Sequence, residues 1–495
     1  MKAKRLLEPL GTQRLMVLVL LLCIFFMATR EITDPDFWWH LRTGQYISET
    51  TSIPRQDIFS HTMPDQPWIT HEWLTEVALY GIHTLAGQNG LILAFATIIT
   101  AAFALLYLRC PGRPYLAAFI VLLAAITSAV TWGVRPQMLS LLLASVSLYI
   151  LDSYQAGRRR CIWLMPPLMV LWANVHGSFL LGLVLPMVYV VGATITNLAS
   201  ERHQQKLDWR DIRLLLVVTL ISAAATVVNP NGVRLLLYPL GTLGSTAMQA
   251  YITEWFSPDF HLTQFQPLAA FILMMIVALG LSRRRPSATE FLFLVGFGYA
   301  ALRSARHIPY FVLVAAPILT AQLLDIWDRS QWSRTFTTSR RQAGNMHLVA
   351  NWLLLTLVLL GGVIRVSLVL QGNADAQREV FPVDAVEFIV DEQVGGNIYN
   401  LYHWGGYLVW TLYPDYPVFI DGRADVYGDA FIDEYLQVYQ LREDWHAPLD
   451  KYGVNLVIID KGSSLSTVLN QSPNWDRPYI DERAAIFVRH QEGKS

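Results

Sequence analysis

The chain has 495 residues, of which 53% are hydrophobic and only 15% charged. Soluble domains carry roughly a quarter charged residues, so this composition excludes an ordinary water-soluble protein. A net charge of -1 offers no basic face of the kind a nucleic-acid partner requires.

The first apolar run, Leu15–Ala28, follows Lys2, Lys4, Arg5 and Arg14. No clear small-x-small cleavage site comes after it, so a retained helix is expected rather than a signal peptide. Further runs recur at Gly90–Leu108, Tyr115–Thr131, Pro136–Leu151, Ile162–Ala173 and Ser178–Leu198. The series continues at Leu214–Val228, Pro267–Leu281, Glu290–Leu302, Ile308–Leu324 and His347–Leu370, giving about eleven spans. Ile162–Ala173 and Glu290–Leu302 fall short of the roughly 17–25 residues of a full crossing. Sixteen Trp and 21 Tyr suit a chain that crosses many lipid–water boundaries. Cys23, Cys110 and Cys161 lie in or beside apolar runs without CxxC or metal spacing, which reads as unpaired thiols.

Arginine and lysine test this organisation independently. With a cytoplasmic N-terminus, one set of segments holds Arg109 and Arg113, then Arg158 to Arg160, then Arg202, Lys206, Arg210 and Arg213. It goes on with Arg283 to Arg285, then Arg329, Arg334, Arg340 and Arg341, and totals 20 with the N-terminal four. The intervening loops hold seven: Arg30, Arg42, Arg55, Arg135, Arg234, Arg303 and Arg306. That asymmetry is the positive-inside bias of a multi-pass cell-membrane (inner-membrane) protein. It places the first loop, residues 30–89, and everything after Leu370 on the outer face.

Residues 1–370 thus form a membrane domain and residues 371–495 an extracytoplasmic α/β domain. In the tail, "GNIYNL", "YPVFIDGR", "NLVIID" and "AAIFVRH" read as strands, with a helix over Asp429–Leu441.

Unusual polar residues gather in the outer loops: Asp34, Asp36, His40, Arg42, His71, Glu72, Arg135, Asn174, His176, Asn229, Asn231, Glu254, Arg303, Arg306 and His307. Charge beside apolar surface is costly, and one carboxylate-lined, electropositive outer cavity would account for it. In "TDPDFWWHLRTG", Pro35 fixes the turn and holds Asp34 and Asp36 at the membrane exit, with Trp38 and Trp39 expected at headgroup level. "HEWLTEVALYGIHTL" opens with His71 and Glu72 and then becomes amphipathic, with Trp73, Val77, Tyr80 and Leu85 along one face. It is not HExxH, since position 75 is Thr, so a zinc-protease reading fails. "ALRSARHIPYF" sets Arg303, Arg306 and His307 where guanidinium groups grip phosphate oxygens. "WGVRPQ" and "WANVHGSF" contribute Arg135 and His176. In the tail, Gly405 and Gly406 permit a tight turn or close backbone approach. Asp421 and Arg423 form either an internal ion pair or part of a loop that reaches over the outer cavity.

Taken together, "DPDFWWH" in the first outer loop, the many spans and the outer tail resemble the GT-C membrane glycosyltransferases, specifically their mannosyl/arabinosyl-transferase-like branch. The resemblance implies inverting transfer of a hexosyl or pentosyl group from a polyprenyl-phosphate donor to a glycan, lipid or protein acceptor. Membrane lipids would be its other partners. It implies a first-loop base, Asp34 or Asp36, with substrate contacts from His71, Glu72, Arg135, His176, Arg303, Arg306, His307, Asp421 and Arg423. It also admits a divalent metal, on Asp36, His71 and Glu72. The chain departs from the simpler pattern in having "DPD" instead of adjacent acidic residues, which leaves the choice of base open. Two rivals stand beside it. A transporter or flippase of a lipid-linked or anionic substrate would place its site at mid-membrane with repeat symmetry. A non-catalytic envelope-assembly scaffold would leave the outer carboxylates free to change.

Overall fold

The computed structural model describes residues 10–199, 207–330 and 345–490. Lys2, Lys4, Arg5, Arg202, Lys206, Arg334, Arg340 and Arg341 lie outside the described residues, as does the tail beyond His490. The chain opens with α1 (Thr12–Ala28), α2 (Asp36–Thr50), α3 (Trp73–Arg109), α4 (Pro114–Ser128) and α5 (Gln137–Gln155). It continues with α6 (Met165–Val175), α7 (Leu181–Leu198), α8 (Trp209–Ala225), α9 (Arg234–Gly244) and α10 (Thr246–Tyr251). Then come α11 (Gln266–Leu281), α12 (Ala288–Arg303), α13 (Ile308–Arg329) and a long helix over Asn345–Val380.

Every expected apolar run is helical, and among the described residues seven helices are long and apolar enough to cross a membrane. The others are shorter: α1 has 17 residues, α6 has 11, α8 has 17 and α12 has 16. At 1.5 Å per residue even 17 residues reach only about 25 Å, short of a hydrocarbon core of about 30 Å. Packing sets their positions: α3 lies along α1, α2 and α5, while α13 lies between α4 and α12.

Gly87 interrupts α3 with φ of 64°, a left-handed conformation that glycine adopts without penalty. The interruption separates the amphipathic entry segment, which begins at Trp73, from the apolar stretch ending at Arg109. The entry segment does not bury the face its apolar spacing suggests. Thr75, Glu76 and Leu79 turn inward, while Leu85 is 89% exposed. Gly44 explains the inversion: α2 lies so close to the Glu76 backbone that a side chain there would overlap it.

The tail holds a four-stranded sheet in the order β1-β2-β4-β3, with β1 Asn397–Asn400, β2 Val454–Asp460, β3 Trp475–Ile480 and β4 Ala484–Arg489. β1 runs parallel to β2, and the other two pairings are antiparallel. β2 is buried along nearly its whole length, as an apolar central strand should be. One strand was not expected here, and one expected strand is absent. β3 arises from "WDRPYI", which has no alternating pattern to announce it. "YPVFIDGR" is not a strand but an extended segment, bridged at Val418 to Ser60 of the first loop. Its backbone is satisfied by Asn400 instead, whose side chain accepts from the Phe419 N–H and donates to the Ile420 carbonyl.

Trp38 and Trp39 are buried, at 2% and 7%, and do not sit at a headgroup belt. Trp38 meets Phe381 and Tyr407 edge-on, with ring centroids 5.7 and 5.1 Å apart. Burying them between loop and tail removes more apolar surface from water than an interfacial position would.

Candidate active site

The first loop and the tail are folded onto each other, and this fixes the site. A methyl on Gly406 would overlap the Pro35 carbonyl, and one on Gly422 would overlap the Asp36 carboxylate. Gly405 and Gly406 start a helix (Gly405–Leu412), so their smallness serves close approach and not a turn. The Phe59 carbonyl accepts from the Val418 N–H at 3.0 Å, and the Thr62 hydroxyl donates to the Phe419 carbonyl at 2.7 Å. Beneath this seam, Arg423 reaches Asp57 at 2.7 Å and grips Asp421 through two nitrogens, at 2.9 and 2.6 Å. Its guanidinium also lies over Phe59 and Trp68, 4.9 and 4.6 Å from the ring centroids. Asp421 and Arg423 are fully buried on each other, so both act on the loop from behind.

Two polar clusters lie on the near side of that seam. In the first, Pro35 starts α2 and turns Asp34 and Asp36 toward Arg135, which stands just ahead of α5. Arg135 is 2.5 Å from Asp34 and 3.6 Å from Asp36, and it also pairs with Glu254. Asp34 is pinned, because its second oxygen accepts the Asp36 N–H at 2.9 Å. Asp36 is held more lightly, by the Trp39 indole N–H at 3.2 Å. A third of its side-chain surface stays open. One guanidinium faces three carboxylates, so negative charge is in excess. Desolvation, followed by the neighbouring Asp34 charge, pushes the Asp36 carboxyl up to about 8. Desolvation raises Asp34 as well, against the pull of Arg135.

The second cluster surrounds Glu72. His40 lies 3.3 Å from it, His176 3.2 Å and His71 3.5 Å. Burial lowers His40 to about 3 and His176 to about 4, so both are neutral donors at ordinary pH. His176 Nδ1 accepts from the Ser178 N–H, which leaves the proton on Nε2, facing Glu72. Burial opposes charge on His71 too, but Glu72 outweighs it and raises His71, while the three imidazoles hold Glu72 below the usual carboxylate range. The cluster therefore reads as a His71–Glu72 ion pair buttressed by two neutral histidines.

His40 also faces Glu76 at 3.1 Å, so a neutral ring has one N–H for two carboxylates. Glu76 Oε2 is buried without a hydrogen-bond partner. Ligand atoms of His40, Glu72 and Glu76 lie within 4.8 Å of one another, a nitrogen and oxygen set suited to a divalent cation. The metal set expected from sequence therefore divides. Of the three expected ligands Glu72 lies in this cluster, His71 stands 3.5 Å from Glu72 but outside it, and Asp36 is engaged by Arg135 and Trp39 instead.

The remaining expected residues spread out. Arg306 stacks over Trp255 at 4.5 Å, beside the Glu254 turn, with His307 next to it. Arg303 instead donates to Gln249 at the exposed edge. Sequence reading missed Glu76, hidden on an amphipathic helix, and Asp57, in an unremarkable loop. It also missed Gly422 and Asp425, the latter a tail carboxylate whose charge bears on His71. Gly422 was detectable through its neighbours in "DGR"; the others carried no local signal.

No protein-family model matches this chain, and no curated protein sequence does. Solved structures do. An archaeal oligosaccharyltransferase, AglB from Archaeoglobus fulgidus in complex with an inhibitory peptide and a dolichol-phosphate, superposes with a TM-score of 0.56 at 11% identity. The match covers 96% of this chain and 74% of that one. ArnT from Cupriavidus metallidurans bound to undecaprenyl phosphate gives 0.50 at 16% identity, over 96% of this chain and 98% of that one. At these identities the likeness shows the fold alone, a mainly helical architecture that this chain shares with both structures.

Proposed function

We propose that this chain is a membrane glycosyltransferase that moves a sugar from a polyprenyl-phosphate donor to an acceptor hydroxyl outside the cytoplasm, with inversion. The observation that carries this reading is Asp36, a part-open carboxylate made basic by burial and by Asp34, held at the seam of first loop and tail. An acceptor hydroxyl is a weak nucleophile until a positioned base takes its proton. Asp36 receives that proton as the acceptor oxygen bonds to the anomeric carbon. The bond from that carbon to the phosphate oxygen breaks on the opposite face, which inverts the centre. Asp34 keeps Arg135 in place and withholds it from neutralising Asp36, so of the two aspartates Asp36 is the base.

The departing lipid phosphate gains charge, and Arg306, steadied by Trp255, would meet it in this reading. The lipid phosphates held by the two solved neighbours support a ligand of this class here. Where a divalent cation binds, His40, Glu72 and Glu76 would hold it, and it would supply electrostatic stabilisation beside the site.

The test is sugar transfer by purified protein from a panel of polyprenyl-phosphate sugars, with Asp36→Asn as control. Transfer that Asp36→Asn abolishes while insertion and Tm hold supports the assignment. An Asp36→Asn protein that transfers at full rate removes Asp36 as base. A wild type inert toward every donor, yet able to move the lipid across vesicles, returns the chain to the transporter class.

A further inference from the structure

Four helices run from the carboxylate–histidine site to the far end of the bundle. α3 starts beside Glu72, α5 beside Arg135, α7 just after His176 and α13 beside Arg306. The 22 residues of α13 alone span about 33 Å. At the far end, where Arg109, Arg113, Arg158 to Arg160, Arg283 to Arg285 and Arg329 gather, the helices part around a cavity of about 800 Å³. That volume lies within the range of ligand pockets.

The floor of the cavity is polar and already neutral. Arg109 bonds Asp152 at 2.7 Å, and Asp152 also accepts from the Tyr189 hydroxyl. A second Arg109 nitrogen donates to the Leu313 carbonyl at 2.7 Å. Pro317, four residues on in α13, has no N–H to offer that carbonyl, so the arginine takes the proline's place. One wall is apolar, built by Val314, Ile318, Ala321 and Leu324 of α13 with Phe293 of α12. At the rim each carboxylate has its own cation: Glu290 has Arg284, Asp325 has Arg329 and Asp328 has Arg113. Arg285 also lines the cavity, and among the described residues no ion pair or hydrogen bond engages it. The flanking surface is apolar and exposed, Leu281 at 62% and Leu198 at 71%. The mouth therefore opens toward lipid as well as toward water.

We infer that this cavity binds an anionic phospholipid, its phosphate on Arg285 and its acyl chain against the α12–α13 wall. A neutral floor, an apolar wall and one surplus guanidinium at a lipid-facing mouth match an amphiphile with a single anionic head. A soluble anion would use Arg285 and leave the wall unfilled. The inference stands apart from the transfer reaction, since none of these residues touches Asp36 or the Glu72 cluster.

The experiment is native mass spectrometry of the full chain, delipidated in detergent and titrated with phosphatidylglycerol or phosphatidylcholine. Wild type should retain phosphatidylglycerol in preference. Arg285→Glu, an exposed change that leaves the fold intact, should weaken it by about tenfold or more, the loss of one charge-assisted contact. Ala321→Trp, which fills the apolar wall, should displace it at unchanged Arg285. Equal retention of the two lipids, or retention of phosphatidylglycerol unchanged by both variants, overturns the inference. Displacement of the lipid by millimolar inorganic phosphate would assign the site to a free anion and overturn the lipid.

Discussion

The Arg423 guanidinium of the tail lies 2.7 Å from the Asp57 carboxylate of the first loop, and neither side chain meets solvent. Removing one partner of a buried pair costs about 3–5 kcal/mol, because the other charge stays buried and unpaired. Here Arg423→Ala would strand Asp57 and Asp421 together and empty the space between Phe59 and Trp68. Thermal unfolding in detergent should show a large loss of Tm, with the tail becoming open to protease. Lysine should rescue little, since it cannot fork onto Asp421 while stacking on two rings. A wild-type Tm in Arg423→Ala would show that the seam does not depend on this pair.

The Asp36 carboxyl, pushed up to about 8, makes the proposed base pH-dependent. A base works only unprotonated, so kcat/KM should rise with pH and level off above about 8. Stability should move the other way. A carboxyl held above its ordinary 3.8 binds its proton more tightly when folded, so its contribution is full below 3.8 and is withdrawn as pH climbs through about 8. Asp36→Asn should therefore be inactive yet more heat-stable than wild type at pH 9. A flat pH–rate profile with unchanged alkaline stability would separate Asp36 from both effects.

Gly422 leaves the Asp36 carboxylate its room. Gly422→Ala should push that carboxylate off its position against Trp39 and Arg135 while leaving the buried Arg423 network in place. Transfer should fall by about 100-fold, the scale of a misplaced catalytic group, with a smaller change in Tm than Arg423→Ala produces. Matching losses of Tm in the two variants would mean that Gly422 serves packing alone.

How much of this was readable beforehand depends on whether the signal is local. The apolar runs announce all seven helices long and apolar enough to span, because lipid demands continuous hydrophobicity, whereas α2 was read as a turn. "DPD" marks the candidate site because two aspartates just after an apolar run need a reason. His71, Glu72, Arg135 and His176 were legible as outer polar residues, yet nothing in their spacing says that three histidines converge on one glutamate. Trp38 and Trp39 misled because amphipathic rings suit an interface and a core equally; the tail that buries them lies more than 340 residues on. "YPVFIDGR" has strand composition, but Asn400 occupies its hydrogen bonds. Contacts of such sequence separation are decided by tertiary packing, which periodicity does not encode.

In the proposed reaction Arg306, stacked on Trp255, is the cation that meets the donor phosphate. Arg306→Ala should raise KM for the polyprenyl-phosphate sugar by roughly tenfold or more, the loss of a charge-assisted contact, and leave the acceptor KM nearly unchanged. Arg306→Lys should recover part of the loss, since a point charge still attracts phosphate but does not stack as well. Equal effects on donor and acceptor would take Arg306 out of the donor site.

Glu76 Oε2, buried and unpartnered beside His40 and Glu72, tests the cation directly. A ligand that binds only the folded state stabilises it by about 2.7 kcal/mol at one hundred times its Kd. Added zinc or manganese should raise the Tm of wild type, and chelator should reverse the rise. Glu76→Gln keeps the size and an amide oxygen to face His40 but removes the carboxylate, so it should fold and no longer respond. His40→Gln should behave alike, whereas Asp36→Asn should still respond, because Asp36 faces Arg135 and not the histidines. Metal content measured on the purified protein gives the same contrast without heating. A Tm indifferent to metal in wild type would leave His40, Glu72 and Glu76 as a proton-sharing network that buttresses the entry of α3.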